Sequence, residues 1–132
     1  MIEKQKRLEG ANRLIQSIAG CGRQFFHHKG NVSRFELDKR GRVWFVDGYN
    51  GARIYTHYAG RWRGFSEGGT LRGLVIALRD FITNGKLIGF ALGPFPDWYS
   101  GGDPWGYGAD MKTVYECAVS TGIVKTDMPT GQ

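Results

Sequence analysis

Arginine and aromatic side chains alternate through the first half of this chain in a pattern suited to gripping a charged polymer with flat rings attached. Arg34 stands alone, Arg42 and Trp44 are two residues apart, and Arg53, Tyr55 and His57 continue at the same step. Arg61, Trp62, Arg63 and Arg72 follow in and just after a glycine-rich stretch. Guanidinium groups pair with phosphate oxygens, and aromatic faces stack on bases of any identity. The competing reading is structural: Trp44 and Tyr55 as a cross-strand pair lying under the aliphatic stems of flanking arginines.

Catalytic and metal chemistry finds less to work with. His27, His28, His57, Cys21 and Cys117 show no zinc-ligand spacing. Asp97 and Asp103 sit in one loop but lack a third ligand at a fitting distance in sequence. The Gly-x4-Gly-Lys-Ser/Thr phosphate loop is absent. No spacing matches a reactive constellation, so the chain reads as a non-enzyme without metal or cofactor. Both cysteines read as reduced, half-buried residues.

These residues need elements to hold them. From Leu8 to Ile18 the apolar positions fall at helical spacing, with the firm helix expected from Ala11 because Gly10 weakens the turn before it. Residues 23–28 and 32–37 read as strands, Asp38-Lys39-Arg40-Gly41 as a turn, and 42–47 and 53–58 as two further strands. Thr70 is the expected N-cap of a helix carrying Leu71, Leu74, Val75, Leu78, Phe81 and Ile82 inward, closed by Asn84-Gly85. Leu87 to Leu92 reads as a strand or extended segment, and Asp110 opens a last helix that Gly122 ends.

The order α-β-β-β-α-loop-α predicts an α+β domain: a three- to four-stranded antiparallel sheet with helices packed on one face. One assignment consistent with alternation places Phe35, Leu37, Val43, Phe45, Ile54 and Tyr58 against the helices; the middle strand is apolar on both faces, so a one-residue slip would exchange the buried and open faces. That assignment leaves Arg34, Arg42, Trp44, Arg53, Tyr55 and His57 outside. Arg61, Arg63 and Arg72 then form an anion site at the start of the second helix, with Ile76 exposed on its outer stripe.

Bulk properties agree with a binding role. The chain has 132 residues, the size of one domain, with residues 1–9 and 125–132 expected to be flexible. Its net charge of +6 is uneven. Residues 1–72 hold 14 of the 18 Lys/Arg and 6 of the 12 Asp/Glu, a charge of +8, which leaves 73–132 at −2. A basic half attracts phosphate backbones at long range. No apolar run is long enough to span a membrane and no export signal is visible, so the expected setting is the cytoplasm.

The motifs Gly41-Arg42-Val43-Trp44-Phe45-Val46-Asp47, Arg53-Ile54-Tyr55-Thr56-His57, Trp62-Arg63-Gly64-Phe65-Ser66 and Gly68-Gly69-Thr70-Leu71-Arg72, with Gly101-Gly102-Asp103 and Trp105-Gly106-Tyr107-Gly108, resemble small uncharacterised proteins of bacterial phages and plasmids. That resemblance brings no assigned activity. It implies a mobile-element accessory protein, including one that counters host defence. The element order is also similar to DNA-binding modules built on a three-stranded sheet and to double-stranded-RNA-binding domains, without their motifs. The leading expectation is therefore a protein that binds DNA or RNA through Arg34, Arg42, Trp44, Arg53, Tyr55, His57, Arg61, Arg63 and Arg72. The alternative is an anti-defence inhibitor that grips a host protein with Trp62, Trp98, Tyr99, Trp105 and Tyr107, residue types favoured at interface hot spots.

Overall fold

Apolar side chains from three helices and one sheet meet in a single core, and that core decides which side of the sheet remains open. A computed structural model describes residues 2–88 and 108–124. The elements are α1 (Ile2–Ala19), β1 (His27–His28), β2 (Asn31–Val32), β3 (Arg34–Leu37), β4 (Val43–Val46), β5 (Arg53–Tyr55), α2 (Gly69–Asn84) and α3 (Met111–Ser120), the last preceded by a 3-10 turn over Gly108–Asp110. Strands β3, β4 and β5 form an antiparallel sheet in that order, and β1 pairs with β2 in a separate hairpin. The α+β architecture and its element order are as expected.

Leu14, Ile15 and Ile18 of α1 pack with Leu74, Val75, Leu78 and Ile82 of α2 and Val114 and Ala118 of α3. Phe35, Val43, Phe45 and Ile54 enter from the sheet. Phe45 lies edge-on to Phe35 at 5.4 Å and to Phe26 at 5.8 Å between ring centroids. Such edge contacts are favoured because a ring's positive rim meets a negative face.

Several local expectations change. Helix α1 starts at Ile2, not near Ala11. Gly10 has a packing role: a Cβ there would stand 3.3 Å from Thr121 Cβ, so its bareness lets the end of α3 approach α1. Residues 23–26 are not strand, because Gln24 and Phe26 adopt positive φ of 57° and 67°. That conformation is strained for a bulky residue, and the burial of Phe26 offsets it. The β1–β2 turn has positive φ at both Lys29 and Gly30, the type I′ geometry that matches strand twist. Helix α2 takes Gly68 as its N-cap, two residues before the expected Thr70, and ends as expected at Gly85 in the left-handed region. Of the segment 87–92, expected as strand or extended, Leu87 and Ile88 pair in no strand, Ile88 N–H donates to Ile123 O at 3.1 Å, and 89–92 lie outside the described residues.

The two edges of the sheet differ. On β3, Asn12 of α1 offers Oδ1 to Phe35 N–H (2.7 Å) and donates Nδ2 to Phe35 O (3.1 Å). A helix side chain thus occupies the hydrogen-bonding groups another strand would use. Strand β5 is the edge left beside the loop that carries Tyr58, Arg61 and Arg63. Among the described residues no helix is long and apolar enough to cross a membrane.

Candidate nucleic-acid interface

The sheet face turned away from the helices carries Arg34, Glu36, Arg42, Trp44, Arg53 and Tyr55, as alternation predicted. Register places Glu36 opposite Trp44, and Trp44 opposite Tyr55; the next row is Arg34, Val46 and Arg53. The rings of Trp44 and Tyr55 are 5.4 Å apart. The Arg53 guanidinium lies 4.6 Å from the Trp44 ring centre, and that of Arg42 lies 5.9 Å from Trp44 and 5.7 Å from Tyr55.

Carboxylates reach this face too. Glu36 pairs with Arg34 at 2.8 Å and with Arg53 at 3.3 Å, and Asp38 pairs with Arg42 at 2.7 Å. The expected platform is therefore assembled but roofed: Trp44 is covered by an arginine rather than open to a base, and three guanidinium groups share two carboxylates. The structural reading of this pair holds for Trp44 itself.

Asp38 organises one end of the roof. It accepts the Trp44 indole N–H at 2.9 Å, Arg42 Nε at 2.7 Å, and the backbone N–H groups of Arg40 and Arg42, both at 2.9 Å. The Trp44 hydrogen bond first, then those from Arg42 and Arg40, hold its carboxyl well below the usual carboxylate range against the opposing effect of desolvation. A group depressed in the folded state adds stability above its unfolded value, near 3.9, and that contribution is lost as pH falls towards the folded value. Asp38→Asn is expected to lower stability at neutral pH and to remove this part of the acid-induced loss below about pH 4. Urea titrations of both proteins at several pH values read the difference, and parallel acid limbs would exclude this role.

An open surface lies beside the roofed one. Arg53, Ile54, Tyr55, Tyr58, Arg61 and Arg63 line a solvent-facing groove of about 290 Å³. Three arginines and two tyrosines line it and no carboxylate does; Arg53 is held by Glu36 over Trp44, whereas Arg61 and Arg63 are exposed and make no ion pair among the described residues. Tyr58 is 58% exposed, although alternation placed it inward. The strand ends at Tyr55, and a turn with Tyr58 N–H donating to Tyr55 O at 3.0 Å swings the ring out. Gly60 marks this place in the sequence: a Cβ there would stand 2.8 Å from the Tyr58 ring.

The loop holding these groups is pinned from below. Trp62, expected as a partner anchor, is 5% exposed and donates its indole N–H to Tyr58 O at 2.8 Å. Its ring packs edge-on to Phe65 at 5.4 Å. Loop position carries no periodicity, so only tertiary packing turns this tryptophan inward. Arg72, expected as an anion ligand, lies 4.5 Å over the Trp62 ring, and its Nη2 donates to Gly60 O at 2.8 Å and Ala59 O at 3.3 Å. It holds the loop from α2, and it lines a groove of about 220 Å³ with Arg61, Glu67 and the first residues of that helix. Gly64, at φ +84°, receives Asn50 Nδ2 on its carbonyl at 2.8 Å.

The remaining expected residues are placed as follows. His57 lies 5.9 Å from Tyr55, outside the groove lining. Burial, then the Arg79 guanidinium, push its imidazole below its ordinary value. Ile76 is half-buried against the core, and Arg79 donates to Thr56 O at 2.7 Å. Trp98, Tyr99, Trp105 and Tyr107, with Asp97 and Asp103, lie outside the described residues. Cys21 and Cys117 are free thiols, both pushed up by burial. Among the described residues no group of three or more His, Cys, Asp or Glu could hold a metal ion.

Three comparisons bear on this chain. The sequence profile of a family described as YoqU matches residues 1–130. An uncharacterized SPbeta prophage-derived protein, YoqU of Bacillus subtilis (strain 168), is 35% identical over 88 residues, a match covering 64% of this chain and 63% of that protein. The aligned region thus spans less than two thirds of the relative's length. No solved structure matches significantly.

Proposed function

The chain belongs to the YoqU family, and from the geometry above we propose that it is a phage accessory protein whose role is to bind nucleic acid, not to catalyse a reaction. The prophage origin of the relative agrees with the phage context implied by the motifs. The observation that carries the proposal is the groove at the β5 edge, lined by Arg53, Arg61 and Arg63 together with the exposed Tyr58 and by no carboxylate. Guanidinium groups would meet phosphates and the phenol ring would meet a base. Such contacts need no base identity, because phosphate contacts position and only base-edge contacts specify.

The uneven charge supports the same reading, since the groove falls in the half that carries +8. The roofed face beside it supplies rigidity and a reserve of arginine restrained by Glu36. Binding of the purified protein to labelled DNA and RNA over a salt series tests the proposal. Micromolar or tighter affinity, falling linearly with log[salt], is expected. Glu36→Gln releases Arg34 and Arg53 from their shared carboxylate and is expected to tighten binding roughly threefold to tenfold, as one added phosphate contact would. Absence of binding at low salt would remove nucleic acid as the ligand and leave a protein partner as the reading to test.

A further inference from the structure

Tyr49, in the β4–β5 turn, is the other strongly exposed tyrosine among the described residues, at 59%. Its ring lies 3.9 Å from that of His28, with a tilt of 36°, so one face is supported and the other is presented outward. The turn is held firmly. Tyr49 N–H donates to Asp47 Oδ1 at 2.8 Å, and Gly48 N–H donates to Ser33 Oγ at 2.8 Å. A Cβ on Gly48 would stand 2.8 Å from Ser33 N and 2.9 Å from Asn31 O, so only glycine lets this turn lie against β2.

Tyr49 borders a second, larger groove of about 650 Å³, with Gln16, Asn31, Arg34, Val46 and Asp47 among its walls; the Asp47 carboxylate is buried and accepts the Tyr49 and Ser66 N–H groups. The two grooves are joined by the row Arg34, Val46 and Arg53, because Arg34 lines one and Arg53 lines the other. The row crosses two strand spacings, about 10 Å. It sets Arg34 in the wall of the groove that holds Tyr49 and Arg53 in the wall of the groove that holds Tyr58, both arginines paired with Glu36. Arg34 keeps 55% of its side chain exposed despite its pairing with Glu36.

We propose that the Tyr49 groove is a second nucleotide subsite and that the ligand is a single-stranded nucleic acid crossing both grooves. The inference rests on the nucleic-acid reading above and goes further in naming the strand state and the second contact. The physical reason is access to base faces. In a duplex those faces are taken up by neighbouring base pairs, whereas a single strand can offer successive bases to separate aromatic platforms while its backbone follows a cationic groove. Single-strand site sizes begin at about four nucleotides, which sets the shortest oligomer of the test.

The test titrates the full chain with oligothymidylates and oligouridylates of about four to sixteen nucleotides, and with a duplex of matched length. Wild-type protein, Tyr49→Ala, Tyr49→Phe and Tyr58→Ala are compared at one salt concentration, and wild type and Tyr49→Ala over a salt series. The better-bound single strand is expected to bind about tenfold or more tighter than the duplex. Tyr49→Ala is expected to weaken binding of the longer oligomers by roughly fivefold to a hundredfold, the loss of one stacked base, with an unchanged salt slope. Tyr49→Phe keeps the ring and is expected to bind as wild type, which separates stacking from folding. Duplex binding equal to or tighter than single-strand binding, or wild-type affinity of Tyr49→Ala for long oligomers, would overturn the inference while leaving the nucleic-acid reading standing. Failure of every polynucleotide to bind at low salt would overturn that reading itself.

Discussion

Trp62→Ala is expected to lower the free energy of unfolding by about 3–5 kcal/mol, the usual cost of emptying a large aromatic site in a core. Against a typical domain stability of 5–15 kcal/mol this is a large fraction. For a chain of this size it corresponds to a fall in melting temperature of roughly 10–20 °C. Trp62 is packed between Phe65 and the Arg72 guanidinium, and its indole N–H holds the Tyr58 carbonyl. Its loss therefore also unpins the loop that presents Tyr58, Arg61 and Arg63. Trp62→Phe keeps most of the volume and loses the hydrogen bond, so it is expected to fall between the two. Thermal melts followed by circular dichroism read all three proteins. A Trp62→Ala protein within 1 kcal/mol of wild type would mean that this ring is not part of the core, contrary to its 5% exposure.

The second large effect concerns binding. Replacing Arg53, Arg61 and Arg63 together by Ala removes every guanidinium lining the β5-edge groove. If each meets one phosphate of a single strand, the slope of log K against log[salt] is expected to shrink by about two, since each neutralised phosphate contributes about 0.7. Affinity at low salt is expected to fall by roughly a hundredfold, at about 1 kcal/mol for each lost contact. Arg61 and Arg63 are exposed and make no ion pair among the described residues, so their removal should change stability little. Arg53 also covers Trp44 and pairs with Glu36, and it carries whatever stability cost the triple variant shows. A slope that stays at its wild-type value would place the phosphate contacts elsewhere on the protein, and with them the site.

Much of the fold was legible because it rests on interactions among residues near one another in sequence. Helix α2 follows from Leu71, Leu74, Val75, Leu78, Phe81 and Ile82, whose spacing makes one apolar stripe, and its end follows from a glycine free to adopt positive φ. The β3–β4 turn follows from Asp38 and Gly41, and the inward set Phe35, Val43, Phe45 and Ile54 follows from the two-residue period of a strand. Where that period was carried past the end of β5 it failed, and Tyr58 came out on the wrong side. Helix α1 was read short because Gly10 looked like a weak helix former, whereas its bareness serves contact with Thr121, more than a hundred residues on.

The site was legible in its composition and not in its state of charge or cover. The sequence alone determined which arginine and aromatic side chains share one sheet face, because pleating sets the alternation locally; packing of the helices on Phe35, Val43, Phe45 and Ile54 made that face the outer one. Only the tertiary structure decided which of them are available. Glu36 reaches Arg53 across the intervening strand β4, Asp38 reaches the Trp44 indole, and Arg72 leaves its helix to hold the loop carbonyls. Asn12 closes one sheet edge from a helix 23 residues away. These choices depend on distances of a few ångströms between segments remote in sequence, and electrostatic pairing and burial act over just such distances. Periodicity and turn chemistry therefore specify the elements and their faces, while packing between them selects the open groove of Arg53, Tyr58, Arg61 and Arg63 from a wider set of candidates.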